Sequence, residues 1–394
     1  MVATLPFFGF LSVVLGVFWQ FFARDKLQNT FGVGRPITSR GHTRCEKLSE
    51  FEACEDGWYH QPSGLLYLAC SSLEGRTKWL PNADVFDLEK RPETDYLAIL
   101  DTKATGSVAS RTTIVKPENF VGTNGKGSYN LHGIGVHVED DDNLRIFLIN
   151  HRPQPNPHSN GANSTIELFE SKLGSDSMQH VRTYADEVIL TPNDLTPIGP
   201  DSFIFSNDHS VKVGQLKKLD IFAARSSVGR CDKNGCRKVI EKYLYPNGIA
   251  GGTQFPNPNP NLVYIGSSAQ NLMTVIETQA DGSVVKLDEI PMEYPVDNLS
   301  VDADGNVWAA GFPNLFKMLG HMANPREKHS PTVLFKTSKN KGQDAFYGQK
   351  YISESVVEDD GSTLSGLTFV QYDTERRLTF AGGVFTPYVA ICKV

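Results

Sequence analysis

The amino-acid sequence predicts an all-β chain folded as a six-bladed β-propeller, and three observations carry that reading. A two-strand unit with an Asp/Gly turn recurs along the chain. The spacing of its copies suits one four-stranded sheet per unit. Strand-like alternation runs from near Leu65 to Val394, and the best helical stretch is Leu315–Ala323 alone, after the fifth hairpin. The clearest unit is Pro295–Pro313, where Leu299 and Val301 alternate into a D-A-D-G-N turn (Asp302–Asn306) and out through Val307-Trp308-Ala309-Ala310. Gly and Asn accept the positive φ that such a reversal needs.

Five units open on polar residues: Glu55-Asp56, His132, Asn193-Asp194, Asn247 and Asp297-Asn298. Their leading positions are separated by 77, 61, 54 and 50 residues. A sixth, Ser362–Gly383, has no leading carboxylate. A period of about 50–60 residues made of short strands is the arithmetic of a propeller. Equivalent places in successive blades face one axis, so these polar residues should converge there.

The elements before the ring differ from it. Leu5–Phe22 is 18 residues, almost wholly apolar, and is followed by Arg24 and Lys26. That length is at the lower edge of a spanning helix and long for a signal-peptide core. Residues 1–26 therefore read as a hydrophobic helical signal-anchor that is uncleaved or inefficiently cleaved. Residues 27–44 form a polar linker, and 45–394 the propeller domain. The basic residues after the apolar run favour a cytoplasmic domain, whereas the cysteines favour the secretory pathway. The reading adopted is a chain anchored facing the lumen or outside, or secreted, with membrane association through its first residues. Asn163-Ser164-Thr165 is then a glycosylation acceptor at Asn163. Asn298-Leu299-Ser300 matches the same pattern, but Asn298 is assigned inward.

Six cysteines allow fifteen pairings, and the sequence does not choose among them. Topology favours Cys45 with Cys392, because a propeller must join its ends. Cys231 and Cys236 suit a bridge across a hairpin turn, and Cys54 and Cys70 remain. The 38 basic residues against 45 acidic ones, with no basic cluster interleaved with aromatics, give no footing for a nucleic-acid partner. The loops Pro153–Ala162 and Phe255–Asn261 are too rich in proline to sit inside a sheet.

At the axis Glu55, Asp56, Asn193, Asp194, Asn247, Asp297 and Asn298 supply carboxylate and amide oxygens. Hard oxygen ligands of mixed charge are what Ca²⁺ takes, whereas zinc would want nitrogen or sulfur. Taken singly, each residue reads as a turn former; their recurrence at one point of the repeat argues for a site. His132 fills the axis place of its unit, and His151 closes that unit's hairpin. One imidazole could take a proton from water and the second relay it. His209 is a further candidate for the rim. His42, His60, His137, His158, His180, His321 and His329 read as structural.

These stretches resemble the calcium-dependent serum paraoxonase/arylesterase family. The likeness rests on C-E-D-G, L-H-G-I, F-L-I-N-H, P-N-D-L, F-S-N-D-H, P-N-G-I, P-V-D-N-L-S-V-D and the closing Y-V-A-I-C-K-V, in that order from Cys45 to the C-terminus. The resemblance implies a six-bladed propeller with two calcium ions in its central tunnel. Glu55, Asn193, Asn247, Asp297 and Asn298 would hold the catalytic ion. Asp56, Asp194 and the Ile134 carbonyl would hold the structural one. His132 and His151 would be the catalytic pair, and Cys45–Cys392 the closing disulfide. Two departures stand out. Ala310-Gly311-Phe312-Pro313 replaces the Cys and His that mammalian members tend to carry before the proline, and the other four cysteines have no counterpart in the family.

The expected activity is calcium-dependent hydrolysis of lactones and aryl esters, with Asp297 as a rival base or nucleophile. Two other readings compete. A gluconolactonase-type propeller would use one metal on sugar lactones, and a non-enzymatic propeller would bind a partner on one face.

Overall fold

The computed structural model describes residues 26–394 except 90, 123–124, 126, 141, 344 and 346–347, together with 12–13, 16–17, 19–20 and 24. The stretch Leu5–Phe22, read as a signal-anchor, lies largely outside the described residues. Among those described, no helix is long and apolar enough to cross a membrane.

The chain is all-β with a ring-like, propeller-type arrangement. Six strands form the inner ring: β1 (Asp56–His60), β2 (Leu131–Val138), β3 (Pro192–Gly199), β4 (Pro246–Gly251), β5 (Val296–Val301) and β6 (Phe369–Asp373). Each packs beside the next, and β6 returns to β1. From β3, β4, β5 and β6 a four-stranded antiparallel sheet runs outward. The sheets that start from β1 and β2 are fused into one of eight strands, where Ser177–Gln179 pairs in parallel with Lys116–Glu118.

The apolar core is divided among the gaps between neighbouring sheets. Trp58 and Tyr67 meet Val136 and Phe169 between the first two. Phe147 meets Phe203 in the next gap, and Ile204 meets Ile265 in the one after. Tyr264 meets Phe335, Trp308 meets Val370, and Phe369 meets Leu68 in the remaining three. Burying each such side chain contributes about 1.5–3 kcal/mol, so every gap resists opening.

Closure follows from the termini. Cys45–Leu48 pairs antiparallel with Val389–Lys393, so a strand from the chain's beginning completes the sheet begun by β6. Cys45 stands opposite Cys392 and is bonded to it across 347 residues of sequence. Loop-closure entropy puts the stabilisation at about 6 kcal/mol. Cys54–Cys70 and Cys231–Cys236 are also bonded, and no cysteine is free.

Several elements differ from the sequence reading. Strands begin at Cys45 and Asp56, ahead of Leu65. A short helix spans Leu73–Lys78, capped by Ser72, whose hydroxyl accepts the Gly75 amide at 3.0 Å. The expected helix is present at Leu315–Ala323. Residues read as a linker lie against it: Phe31 is buried, meets the rings of Phe222 and Phe316, and accepts the Leu315 amide on its carbonyl at 3.1 Å.

Candidate active site

Three inner strands open on two adjacent polar residues, Glu55-Asp56, Asn193-Asp194 and Asp297-Asn298, and two more on a single one, His132 and Asn247. Register with the following strand breaks between Leu131 and Ile134, Pro192 and Leu195, Pro246 and Ile249, and Val296 and Leu299. These irregularities fall at His132, Asn193-Asp194, Asn247 and Asp297-Asn298, and a bulge of this kind re-aims side chains. Glycines make room for the close approach of neighbouring strands. A Cβ on Gly248 would stand 2.3 Å from the Asp297 carbonyl oxygen, and one on Gly133 2.8 Å from Asp194 Oδ1.

A cavity of about 240 Å³ opens over these strand ends. Glu55, His132, Asn193, Asn247 and Asp297 line its polar floor with Asp208, Tyr245 and Ser268. Leu80, Ala83, Ile221, Phe312, Leu315, Met318, Leu319, Met322 and Val384 form apolar walls. The amide nitrogens of the set are taken by neighbours. Asn298 Nδ2 donates to the Glu55 carbonyl (3.0 Å) and to Glu55 Oε1 (2.8 Å), Asn193 Nδ2 to Asp208 Oδ2 (3.2 Å), and Asn247 Nδ2 to Ser268 Oγ (2.9 Å). What remains is a group of buried oxygens without a hydrogen-bond partner: Glu55 Oε2, Asn193 Oδ1, Asn247 Oδ1 and Asn298 Oδ1.

Each such oxygen costs about 1–3 kcal/mol unless something positive meets it. The donor set contains oxygen only and mixes carboxylate with amide, which fits Ca²⁺. Among the described residues no three His, Cys, Asp or Glu side chains form a metal-holding group; the axial set mixes carboxylates with amides instead. The electrostatics agree with the fit. Burial pushes Glu55 well above the usual carboxylate range, with Asp56 and Asp297 adding to it. Asp297 is raised by burial, then by Asp56 and Asp208.

Asp56 and Asp194 do not line the cavity. Their oxygens accept backbone amides: Asp56 from Gly57 (2.7 Å) and Ile134 (3.0 Å), Asp194 from Leu195 (2.7 Å) and Ile249 (2.7 Å). Burial pushes Asp56 up to about 7. Burial and Asp56 together raise Asp194.

The rings of His132 and His151 lie 5.1 Å apart, edge to face. His132 Nε2 is 3.6 Å from Glu55 Oε1, and its Nδ1 has no partner. His151 Nδ1 bonds Ser164 Oγ at 2.9 Å, and its carbonyl accepts the Trp79 indole at 2.8 Å. Burial holds both imidazoles below their ordinary value, His151 at about 3 and His132 with His151 adding to the effect. Burial thus favours the neutral form of both rings, and His132 Nδ1 and His151 Nε2 have no hydrogen-bond partner.

The Arylesterase family profile matches residues 91–390, well over half of the chain. The chain belongs to the arylesterase family. It is 30% identical to chicken (Gallus gallus) serum paraoxonase/arylesterase 2 over 49% of this chain and 51% of that protein. It is 23% identical to rat (Rattus norvegicus) serum paraoxonase/arylesterase 1 over 88% of each. Among solved structures it is similar to a gluconolactonase from Xanthomonas campestris, with a TM-score of 0.41 and 13% identity over 91% of this chain and 99% of that one. The first matched relatives are spanned over about half of their length.

Around this cavity, sequence reasoning misplaced one residue and missed others. His209 is not at the rim. It is buried behind the wall, with Nδ1 2.6 Å from Asp208 Oδ1 and its ring on Tyr245. Asp208 itself went unnamed. Burial would raise it, but His209, Lys217 and Asn82 outweigh that and hold it low. Arg76, buried on the Leu73–Lys78 helix, donates to the Leu131 carbonyl at 2.5 Å. Thr368 fills the axis place of the sixth unit, its hydroxyl bonding the Glu55 carbonyl at 3.0 Å. A polar residue just after a unit's second strand, as Asp208 is, was the available signal. Asn163 is exposed at the start of its strand, and Asn298 is fully buried.

Proposed function

We propose that this protein is a calcium-dependent hydrolase of lactones and aryl esters. The observation that carries the reading is the group of unpartnered buried oxygens on Glu55, Asn193, Asn247 and Asn298 beneath a cavity that also holds His132. Glu55, Asn193, Asn247, Asp297 and Asn298 would bind a catalytic calcium. Asp56, Asp194 and the Ile134 carbonyl would bind a second, structural one, since two buried carboxylates side by side call for a positive charge between them. Calcium supplies a positive charge for the carbonyl oxygen of the substrate as negative charge develops there. Neutral His132 takes the proton of the attacking water, and His151 behind it shares that proton. Ser164 and Trp79 orient His151. The apolar walls exclude bulk water and receive the organic part of the substrate.

The eight-stranded sheet counts in this reading as two blades, giving six around the ion tunnel. Three disulfides favour an oxidising compartment. The protein would then be secreted or anchored at a membrane by its first residues, and glycosylated at Asn163.

A panel of phenyl acetate and aliphatic lactones, assayed with calcium and after chelation, tests the function. Hydrolysis that chelation removes and calcium restores is the expected result. Chelator-insensitive hydrolysis, or none on the whole panel with calcium present, overturns it.

A further inference from the structure

Most of this chain's buried phenols are tied down. Tyr59 donates to Asp373, Tyr184 to the Asp201 carbonyl and Tyr294 to Glu358, while Tyr243 bonds Thr274. Tyr245 breaks that habit. It is half-buried, its hydroxyl makes no hydrogen bond among the described residues, and it lines the cavity with Glu55, His132 and Asp297.

Its backbone is also unusual. Tyr245 sits at φ 47, in the left-handed region, immediately before Pro246. A bulky side chain avoids that region, and a following proline favours extended backbone. Strain of this kind persists where the surroundings enforce it, and it gathers at functional sites. Here the His209 ring, 4.8 Å away and edge-on, backs the Tyr245 ring, and the Tyr245 carbonyl accepts the Ser268 amide at 3.3 Å.

We propose that the Tyr245 hydroxyl is a catalytic hydrogen-bond donor to the leaving oxygen of the ester or lactone. This rests on the hydrolase reading above. Position assigns the role. His132 stands on β2 and Tyr245 enters β4, with β3 between them, so the two face the cavity from different sides of the ring. Water activated at His132 approaches from the β2 side. The unpartnered oxygens gather whatever meets the carbonyl oxygen. The ester's third polar atom, the bridging oxygen, falls to the remaining wall.

In the step, the water oxygen bonds the acyl carbon and the bond to the bridging oxygen breaks. The electron pair stays on that oxygen, and the proton taken from water ends there. Products are an acid and an alcohol, joined in one hydroxy acid when the substrate is a lactone. Tyr245 stabilises the developing alkoxide through its O–H and keeps its own proton. The weaker the acid formed by the leaving group, the more charge that oxygen carries and the more the donor matters.

Tyr245→Phe removes the O–H and keeps the ring and backbone. The measurement is kcat/KM for parent and variant, with calcium, on phenyl acetates of graded leaving-group acidity and on an aliphatic lactone, beside the Tm of both proteins. The expected result is a loss of roughly 10- to 100-fold on the lactone and the least acidic phenols, shrinking to less than about threefold for nitrophenyl acetate, at matching Tm. An equal loss on every substrate points to packing and overturns the proposal, as does no loss at all. Failure of the hydrolase reading looks different, because the parent itself would then hydrolyse nothing on the panel.

Discussion

Asp302, the buried acid of the Asp302–Asn306 turn, and the axial group are the same residue types, yet they differ in what their oxygens do. Asp302 Oδ1 accepts the amides of Asp304 (3.0 Å) and Asn306 (2.9 Å), and Oδ2 accepts the Trp308 indole at 2.8 Å and Asn306 Nδ2 at 3.0 Å. Both oxygens of Asp302 are used, each by donors of the protein itself. At the axis, Glu55 Oε2, Asn193 Oδ1, Asn247 Oδ1 and Asn298 Oδ1 accept nothing. Acid and amide content therefore does not separate a turn from a site; the balance of donors and acceptors does. The contrast extends to charge. Asp373, at another turn, is opposed by burial but supplied by the Arg376 amide, Tyr59 and the Arg376 guanidinium, and is held at about 2. Asp56, at the axis, is pushed by burial up to about 7.

The largest expected effect comes from deleting an axial acid. Asp297→Ala should cost hydrolysis about 10³-fold or more, because it removes negative charge from the cavity floor where the cation belongs. Near-parental kcat/KM with saturating calcium would erase the distinction drawn here. His132→Gln comes next. It keeps polarity but cannot take a proton, so turnover should fall about 10²–10⁴-fold with calcium affinity close to the parent's. The pH profile carries a sign as well. The imidazole must be neutral to act, and burial lowers its pKa. Activity in the parent should therefore be full at neutral pH and decline only below the ordinary imidazole value of about 6.5. An acid limb above that value, or one unchanged in His132→Gln, would assign the proton elsewhere, with Asp297 first in line.

Much of the ring was legible because it repeats. The hairpin around Asp302, the helix at Leu315–Ala323 and the leading residues at five inner strands all stand where periodicity put them. The strand breaks were not legible. Nothing in P-N-D-L or V-D-N-L announces a bulge, since a bulge depends on the partner strand's register. Alternation alone would have sent Asn193 and Asp194 to opposite faces. Tyr245 and Asp208 escaped notice for a related reason. They stand outside the repeated position, and only the cavity joins them to it. The linker reading of residues 27–44 rested on polarity, which says nothing of the contacts that Phe31 makes with helix and loop.

A smaller effect separates the two axial levels. Asp56 already satisfies two backbone amides, so its work in this reading is to hold the ring through a structural ion. Calcium bound only by the native state raises stability by about 2.7 kcal/mol at a hundredfold excess over Kd. The parent's Tm should rise with calcium, and that of Asp56→Ala should respond much less. Equal calcium-dependent shifts in both proteins would merge the two levels into one site.

The smallest effect is expected at the turn. Asp302→Asn preserves shape but replaces one acceptor oxygen with an amide that can only donate. Wherever that NH₂ points, it faces donors: the Asp304 and Asn306 amides on one side, or the Trp308 indole and Asn306 Nδ2 on the other. Mismatched donors in a buried site cost about 1–3 kcal/mol, which should appear as a Tm lower by several degrees. Calcium affinity and kcat/KM should stay at the parental values, because Asp302 does not line the cavity. Parental stability combined with weakened calcium binding would mean that the turn, not the axis, holds an ion, and would reverse the contrast between the two regions.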